Sequence, residues 1–182
     1  MKLATTCRIF ALTLGFVLAA AVGAQAKQAL TGDVSLDVAG EPDSGFGNAF
    51  GPTFGLGMDI GNDLQARGDL SYFHWSHTVT GLDLSYTRIP IVGSLRKYFS
   101  VPADKKLKPF VQGGMGISFD SVDAAVGAPA ARSSKSDVHF GLVLGGGAEY
   151  ALNDRLGAQA MLKYNIETDA YYTFGLGLAY HF

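Results

Sequence analysis

The last eleven residues, Tyr172-Thr-Phe-Gly-Leu-Gly-Leu-Ala-Tyr-His-Phe182, alternate large apolar side chains with small or polar ones to the end of the chain. Because side chains change face at every step of a strand, Tyr172, Phe174, Leu176, Leu178, Tyr180 and Phe182 share one face. Thr173, Gly175, Gly177, Ala179 and His181 share the other. An apolar aromatic terminus beside a free carboxylate is hard to bury in a soluble domain, and left exposed it invites edge pairing. A closed barrel in a lipid bilayer removes both difficulties: lipid receives the large face and the final strand pairs with the first. The terminus therefore predicts an outer-membrane barrel.

The other end of the sequence is consistent with this expectation. Lys2 and Arg8 precede an apolar run from Ile9 to Val22, and Ala24-Gln25-Ala26 offers a small-x-small cleavage pattern, so residues 1–26 are expected to be a Sec-type signal peptide. A membrane anchor is the alternative, but the run is shorter than the ~20 residues a helical span needs. Cys7, the only cysteine, falls in the segment to be removed. Without Lys2 and Arg8 the chain keeps 12 basic against 16 acidic residues, a balance that argues against a nucleic-acid partner. Residues 27–182 suit a single domain, and the absence of a sustained helical period makes that domain all β.

Eight alternating segments follow, near Leu30–Ala39, Ala49–Ile60, Leu64–Phe73, Leu82–Phe99, Pro109–Phe119, Val138–Leu152, Leu156–Ile166 and the terminal Tyr172–Phe182. Strands of about ten residues fit tilted transmembrane staves. The pattern thus predicts an eight-stranded antiparallel up-and-down transmembrane β-barrel. Its phase slips near Leu56 and Gly57, and changes parity near Thr87, where Leu82, Leu84 and Tyr86 give way to Ile89, Ile91 and Leu95; a β-bulge is expected there. The large face is assigned to lipid, since glycine and opposite charges collect on the small face, as a narrow lumen requires.

Three phrases, Arg88-Ile-Pro-Ile-Val-Gly-Ser-Leu-Arg-Lys-Tyr-Phe99, Lys108-Pro-Phe-Val-Gln-Gly-Gly-Met-Gly-Ile117 and Gly145-Gly-Gly-Ala-Glu-Tyr-Ala-Leu-Asn-Asp-Arg-Leu156, resemble those of the small outer-membrane β-barrel domain family, which includes the OmpX-like proteins. The resemblance spans essentially all of residues 27–182. It implies a Gram-negative outer membrane, with outer-membrane lipids and lipopolysaccharide as surroundings and a monomer as the expected state. The terminal Gly177, Tyr180 and Phe182 are similar to the signal such proteins present to the barrel-assembly machinery. The resemblance implies no cofactor and leaves activity open, because a fold carries no chemistry by itself.

Three places could carry function. With the tight turns in the periplasm, the outer rim holds the segments near Gly40–Asn48, Trp75–Gly81, Asp120–Asp137 and Glu167–Ala170. The longest of these is small and polar, which predicts a mobile connector or a contact surface for an extracellular partner. In the lumen, Asp33, Asp37, Asp59, Arg67, Asp69, Glu149 and Lys163 share the small face, with Arg88 and Arg96 joining after the parity change. Buried charges must be paired, so the plain reading is a salt-bridge plug and the sharper one a proton- or voltage-sensitive gate in a small channel; a narrow channel for small or apolar solutes is a further alternative. Finally, His74 and Ser76 share a strand face, and Asp83 begins the next strand. That set could serve an outer-leaflet lipid A hydrolase with His74 as base and Ser76 as nucleophile; the plain reading is a polar rim with Trp75 anchored at the membrane interface. A metal site built from His74, His77, His139 and His181 is not expected, since His181 belongs to the opposite rim. The leading expectation is a non-enzymatic outer-membrane protein whose outer loops support envelope integrity or surface contact.

Overall fold

The computed structural model describes residues 29–40, 47–79, 82–126, 131–168 and 170–182; the expected signal peptide lies outside them. The described strands are β1 (Leu30–Gly40), β2 (Asn48–Gly61), β3 (Leu64–Ser71), β4 (Phe73–Val79), β5 (Leu82–Tyr98), β6 (Leu107–Val126), β7 (Ala131–Ala151), β8 (Leu156–Ile166) and β9 (Tyr171–His181). All pairings are antiparallel, and β9 pairs with β1 from Thr31↔His181 to Gly40↔Tyr172, which closes the sheet.

β3 and β4 are one stave. The register that sets Phe54 opposite Leu70 continues to Phe50 opposite His74, and on the other side Leu70↔Ile91 continues to Phe73↔Arg88. The ladder is interrupted only at Tyr72, whose N–H donates to the Pro52 carbonyl at 3.1 Å. Pro52 has no N–H to return. The structure is therefore the expected closed, eight-stranded, up-and-down antiparallel barrel, and no lipid-level edge remains to be satisfied.

Burial alternates residue by residue along the staves. Leu36, Phe54, Met115, Phe140, Leu162 and Leu176 face outward and are exposed, whereas Asp33, Ser35, Asp37, Arg67 and Asp69 face inward and are buried. Glycine on the inner face makes room for long polar side chains. A Cβ on Gly55 would stand 1.9 Å from an Arg67 guanidinium nitrogen, and one on Gly175 would stand 2.3 Å from the Asp37 carboxylate. At one end, Asn62 and Asp63 both have φ of 56°, the left-handed pair of a type I′ hairpin turn. Tight turns and both described chain ends gather there, which makes it the periplasmic end by the rule for bacterial barrels.

Four expectations are corrected. The first is the parity change near Thr87: β5 and β6 stay in one register from Leu82↔Val126 to Tyr98↔Phe110. What changes is the environment. Above Ile89 and Phe119 the outward positions become Thr87 and Ser121, while the inner positions become aromatic, with Phe73 and Trp75 buried and Tyr86 packed on them. The outward wall has left the lipid at that level, so apolar and polar faces exchange without a bulge. The second is the slip in β2, which holds one register with β1 from Asn48 to Met58; the irregularity comes later, between Asp59 and Gly61.

The third concerns Asp120–Asp137, expected as a connector. β6 runs on to Val126 and β7 starts at Ala131, with the two paired throughout, and 127–130 lie outside the described residues. Cross-strand pairing overrides the weak strand preference of those small polar residues. The fourth concerns Trp75, which is 2 % exposed inside the barrel, its ring 5.1 Å from that of Tyr86, and so does not anchor at the membrane interface.

Candidate functional site

The inner side chains form three tiers. At the periplasmic end, the His181 imidazole bridges the closing seam. Its Nδ1 lies 3.2 Å from Thr31 Oγ1 on β1 and its Nε2 lies 2.7 Å from Glu149 on β7. Glu149 also accepts from the Tyr98 hydroxyl at 3.2 Å, and Gln65 donates to Thr31 at 3.2 Å.

The middle tier holds three buried cations and three buried carboxylates. The Arg67 guanidinium reaches Asp33 at 2.6 Å and Asp69 at 2.7 Å. Gln159 donates to Asp33 at 2.9 Å and Gln112 to Asp69 at 3.2 Å. Arg96 donates to Gln112 at 2.9 and 3.1 Å and lies 3.9 Å over the Phe110 ring. Asp37 accepts from Ser35 at 2.6 Å and Thr53 at 2.8 Å, with Lys163 Nζ 3.8 Å away. Such a set is tolerable only because each charge meets an opposite charge, a hydrogen-bond partner or an aromatic face. It links β1, β3, β5, β6 and β8 across the barrel axis.

At the outer end Arg88, 1 % exposed, makes a two-point contact with Asp120 at 2.9 and 3.0 Å and lies 4.7 Å over the Tyr171 ring. Tyr86 donates to Asp120 at 2.7 Å, and His139 Nε2 stands 3.4 Å from the same carboxylate. Glu167, from the β8–β9 connection, reaches inward to accept from Ser118 at 2.8 Å and to stand 4.0 Å from Arg88. Burial raises the Glu167 carboxyl above the usual carboxylate range, and neighbouring Asp120 adds to the shift. At the same end Phe73, Trp75, Tyr171, Ala39 and Ala49 form a buried apolar cluster.

The structure brings Asp33, Asp37, Arg67, Asp69, Glu149 and Lys163 inside, together with Arg88 and Arg96. Asp59 is the exception: it is exposed at the periplasmic rim, where its carboxylate accepts the Gly61 N–H at 2.8 Å, because the ladder has already shifted into the turn. The sequence reading missed Asp120, Gln112, Gln159, Glu167, Tyr98 and the inward role of His181. For Tyr98 the signal was parity: once β5 is read in one phase, every even position from Arg88 to Tyr98 is internal.

His74 and Ser76 face outward, as their shared parity requires, and His74 Nδ1 lies 3.0 Å from Thr87 Oγ1. Among the described contacts no hydrogen bond joins His74 to Ser76, and the Asp83 side chain lies outside the description. Acyl transfer needs a base that reaches its nucleophile, and the contact His74 makes here is with Thr87. Among the described residues no group of three or more His, Cys, Asp or Glu could hold a metal ion. Tyr180 and Phe182 stand outward with rings 5.0 Å apart, and Gly177 backs onto Ser35 of β1.

Beyond the lipid-facing band, β4 to β7 continue as a sheet of their own. β7 pairs with β6 from Ala131, yet its pairing with β8 begins only at Leu142. On the opposite side, β4 meets β2 only at His74↔Phe50. Residues 131–137 therefore pair with β6 on one side and, among the described residues, with no strand on the other, an open edge that carries an exposed Lys135–Asp137 ion pair at 2.8 Å.

The family described as outer membrane protein beta-barrel domain matches residues 9–182. Among solved structures, neisserial surface protein A is 20 % identical, with 86 % of this chain and 98 % of that one covered and a TM-score of 0.55. Ail, the attachment invasion locus protein of Yersinia pestis, is 15 % identical over 85 % and 97 % at a TM-score of 0.57. OprG from Pseudomonas aeruginosa is 13 % identical over 85 % and 95 % at 0.56. At these identities the likeness speaks for the fold. No curated protein is similar enough in sequence to count as a relative. The chain, a Gram-negative outer-membrane barrel, belongs to the outer membrane protein beta-barrel domain family.

Proposed function

We propose that this barrel is a non-enzymatic anchor that presents the β4–β7 sheet at the cell surface, where it makes contact with an extended segment of an extracellular protein. The observation that carries the reading is the open edge over residues 131–137, which can extend its ladder by one foreign strand. The filled lumen supports an anchoring role over a conduit, since its charges are spent on one another. The name of Ail, an attachment invasion locus protein, is in keeping with surface contact by this fold. In the same reading, residues 1–26 direct export and are removed, Gly177, Tyr180 and Phe182 are read by the barrel-assembly machinery, and the protein works as a monomer surrounded by lipopolysaccharide.

The test shortens the hairpin by removing residues 123–134 and rejoining β6 to β7 with a two-residue turn. Cells carrying equal surface amounts of either form are compared for attachment to serum-protein-coated surfaces. Attachment should fall with the shortened form. Equal attachment would overturn the reading.

A further inference from the structure

The wall of the barrel ends at different heights around its circumference. β1 stops at Gly40, β8 at Ile166, and β9 begins at Tyr171, whereas β4 to β7 run on past that level. On these longer staves the outward face changes character within one step. Its last apolar row is Ile89, Phe119 and Val138, neighbours across the ladder. Two residues further along each strand, on the same face, the register sets Thr87 between His74 and Ser121, and Ser136 beside Ser121. The next outward row sets Ser85 between Ser76 and Asp123.

The height of these rows follows from strand geometry. With strands tilted about 40° and same-face residues about 7 Å apart, the first polar row stands about 5 Å beyond the last apolar row and the second about 10 Å beyond it. The polar layer of a phospholipid leaflet is about 5–8 Å deep. The first row therefore lies at headgroup depth and the second beyond it, where the sugars of lipopolysaccharide continue outward from the lipid.

The chemistry of the face narrows the partner. Thr87, Ser85 and Ser121 are half-buried and Ser76 and Ser136 exposed. His74 Nδ1 lies 3.0 Å from Thr87 Oγ1, and among the described residues no hydrogen bond engages the hydroxyls of Ser76, Ser85, Ser121 or Ser136. A hydroxyl both donates and accepts, so it can pair with another hydroxyl in either sense. Phosphate recognition calls for Arg or Lys, and neither rows nor register supply one: Lys135, beside Ser136, has the opposite parity and pairs with Asp137 at 2.8 Å. The aromatic and Arg anchors of a protein-binding hot spot are also missing from these rows.

We infer that the outward face of β4 to β7 binds the sugars of lipopolysaccharide through this two-row grid of hydroxyls, and leaves the lipid A phosphates unbound. The face continues the lipid-contacting wall without a break, so one lipopolysaccharide molecule can lay its acyl chains along Ile89, Phe119 and Val138 and its sugars along the serines above. This uses the flat of the sheet rather than its open edge, and stands whether or not a protein pairs with that edge.

The test places the full-length barrel in phospholipid bilayers containing rising fractions of either lipopolysaccharide with its core sugars or lipid A alone, with NMR at the Thr87 methyl and at the Ser85, Asp123 and Ser136 amides. Core-bearing lipopolysaccharide should give saturable shifts in both rows, whereas lipid A should leave Ser85 and Asp123 of the second row unmoved. Ser85→Ala combined with Ser121→Ala and Ser136→Ala removes three hydroxyls without touching the lumen or the apolar wall. It should raise the half-saturating fraction of core-bearing lipopolysaccharide by about tenfold, the sum of three modest neutral hydrogen bonds. Threonine at the same three positions keeps the hydroxyls and should restore binding. Second-row shifts of equal size with lipid A alone, absence of saturable shifts with core-bearing lipopolysaccharide, or an unchanged titration in the folded alanine variant would each overturn the inference.

Discussion

Arg67 on β3 and Asp33 on β1 meet at 2.6 Å across the intervening β2, with neither side chain exposed. The contact exists because Gly55, between them on β2, has no side chain: a Cβ there would stand 1.9 Å from the guanidinium and 2.7 Å from the carboxylate. Arg67→Ala should leave Asp33 and Asp69 buried without their cation and cost about 3–5 kcal/mol. Gly55→Val should destabilise by forcing the pair apart while keeping both charges. Urea unfolding in detergent measures both; a Gly55→Val barrel as stable as the parent would show that the pair does not run through that gap.

Trp75 is the only tryptophan in the chain. Because it packs inward against Phe73 and Tyr86, its fluorescence should be insensitive to brominated lipids placed at any depth. Quenching by lipid brominated near the headgroup would return Trp75 to the membrane interface. That result would also dismantle the buried aromatic cluster.

The alternation that made the barrel readable is a lipid signal, and it is readable only where lipid lies outside. From Val138 to Leu152 and from Tyr172 to Phe182 the sequence pattern gives the faces directly. Above Ile89 the wall leaves the membrane and the pattern inverts, so the sequence alone gives Tyr86 the wrong surroundings within a correctly placed strand and puts Trp75 in the rim rather than in a strand. The charge tiers were legible for the same reason and to the same depth: Asp33, Asp37, Arg67 and Asp69 sit on strands of clear phase. Asp120 and Glu167 could not be found this way, because one lies in a stretch of small residues and the other reaches the lumen from a turn.

Strand pairing to Val126 and from Ala131 puts the hairpin beyond the outer band. Trypsin added to intact cells should cut at Arg132 or Lys135, the latter exposed beside Asp137, and spare Lys105 and Lys106. The reverse pattern on gel bands or by mass spectrometry would invert the barrel in its membrane.

Glu167 gives a pH dependence with a definite sign. Its carboxyl is raised in the folded barrel, so its contribution to stability is fully present below the ordinary carboxylate range and is lost as pH rises through the raised value. Glu167→Gln keeps an acceptor for Ser118 and cannot ionise. It should match the parent in thermal unfolding at acidic pH and exceed it as pH rises. A parent that gains stability relative to the variant on going from acid to neutral pH would mean that the Arg88 contact outweighs burial.

The seam between β1 and β9 sets the last test. Phe182 donates its N–H to the Leu30 carbonyl at 2.9 Å, and its ring stands against Tyr180 at 5.0 Å on the lipid-facing side. Phe182→Asp places a charge where the wall meets lipid, yet touches none of the buried tiers, whose partners all lie on the inner face. A carboxylate near the interface costs little in a finished barrel, so a defect caused by stability alone should be small. If Phe182 belongs with Gly177 and Tyr180 to the segment read during assembly, the loss is kinetic instead: the variant should accumulate in the periplasm as protease-sensitive chain, yet refold in detergent to a normal heat-modifiable barrel. Normal amounts in the outer membrane would remove Phe182 from that role, and failure to refold in detergent would make the residue structural.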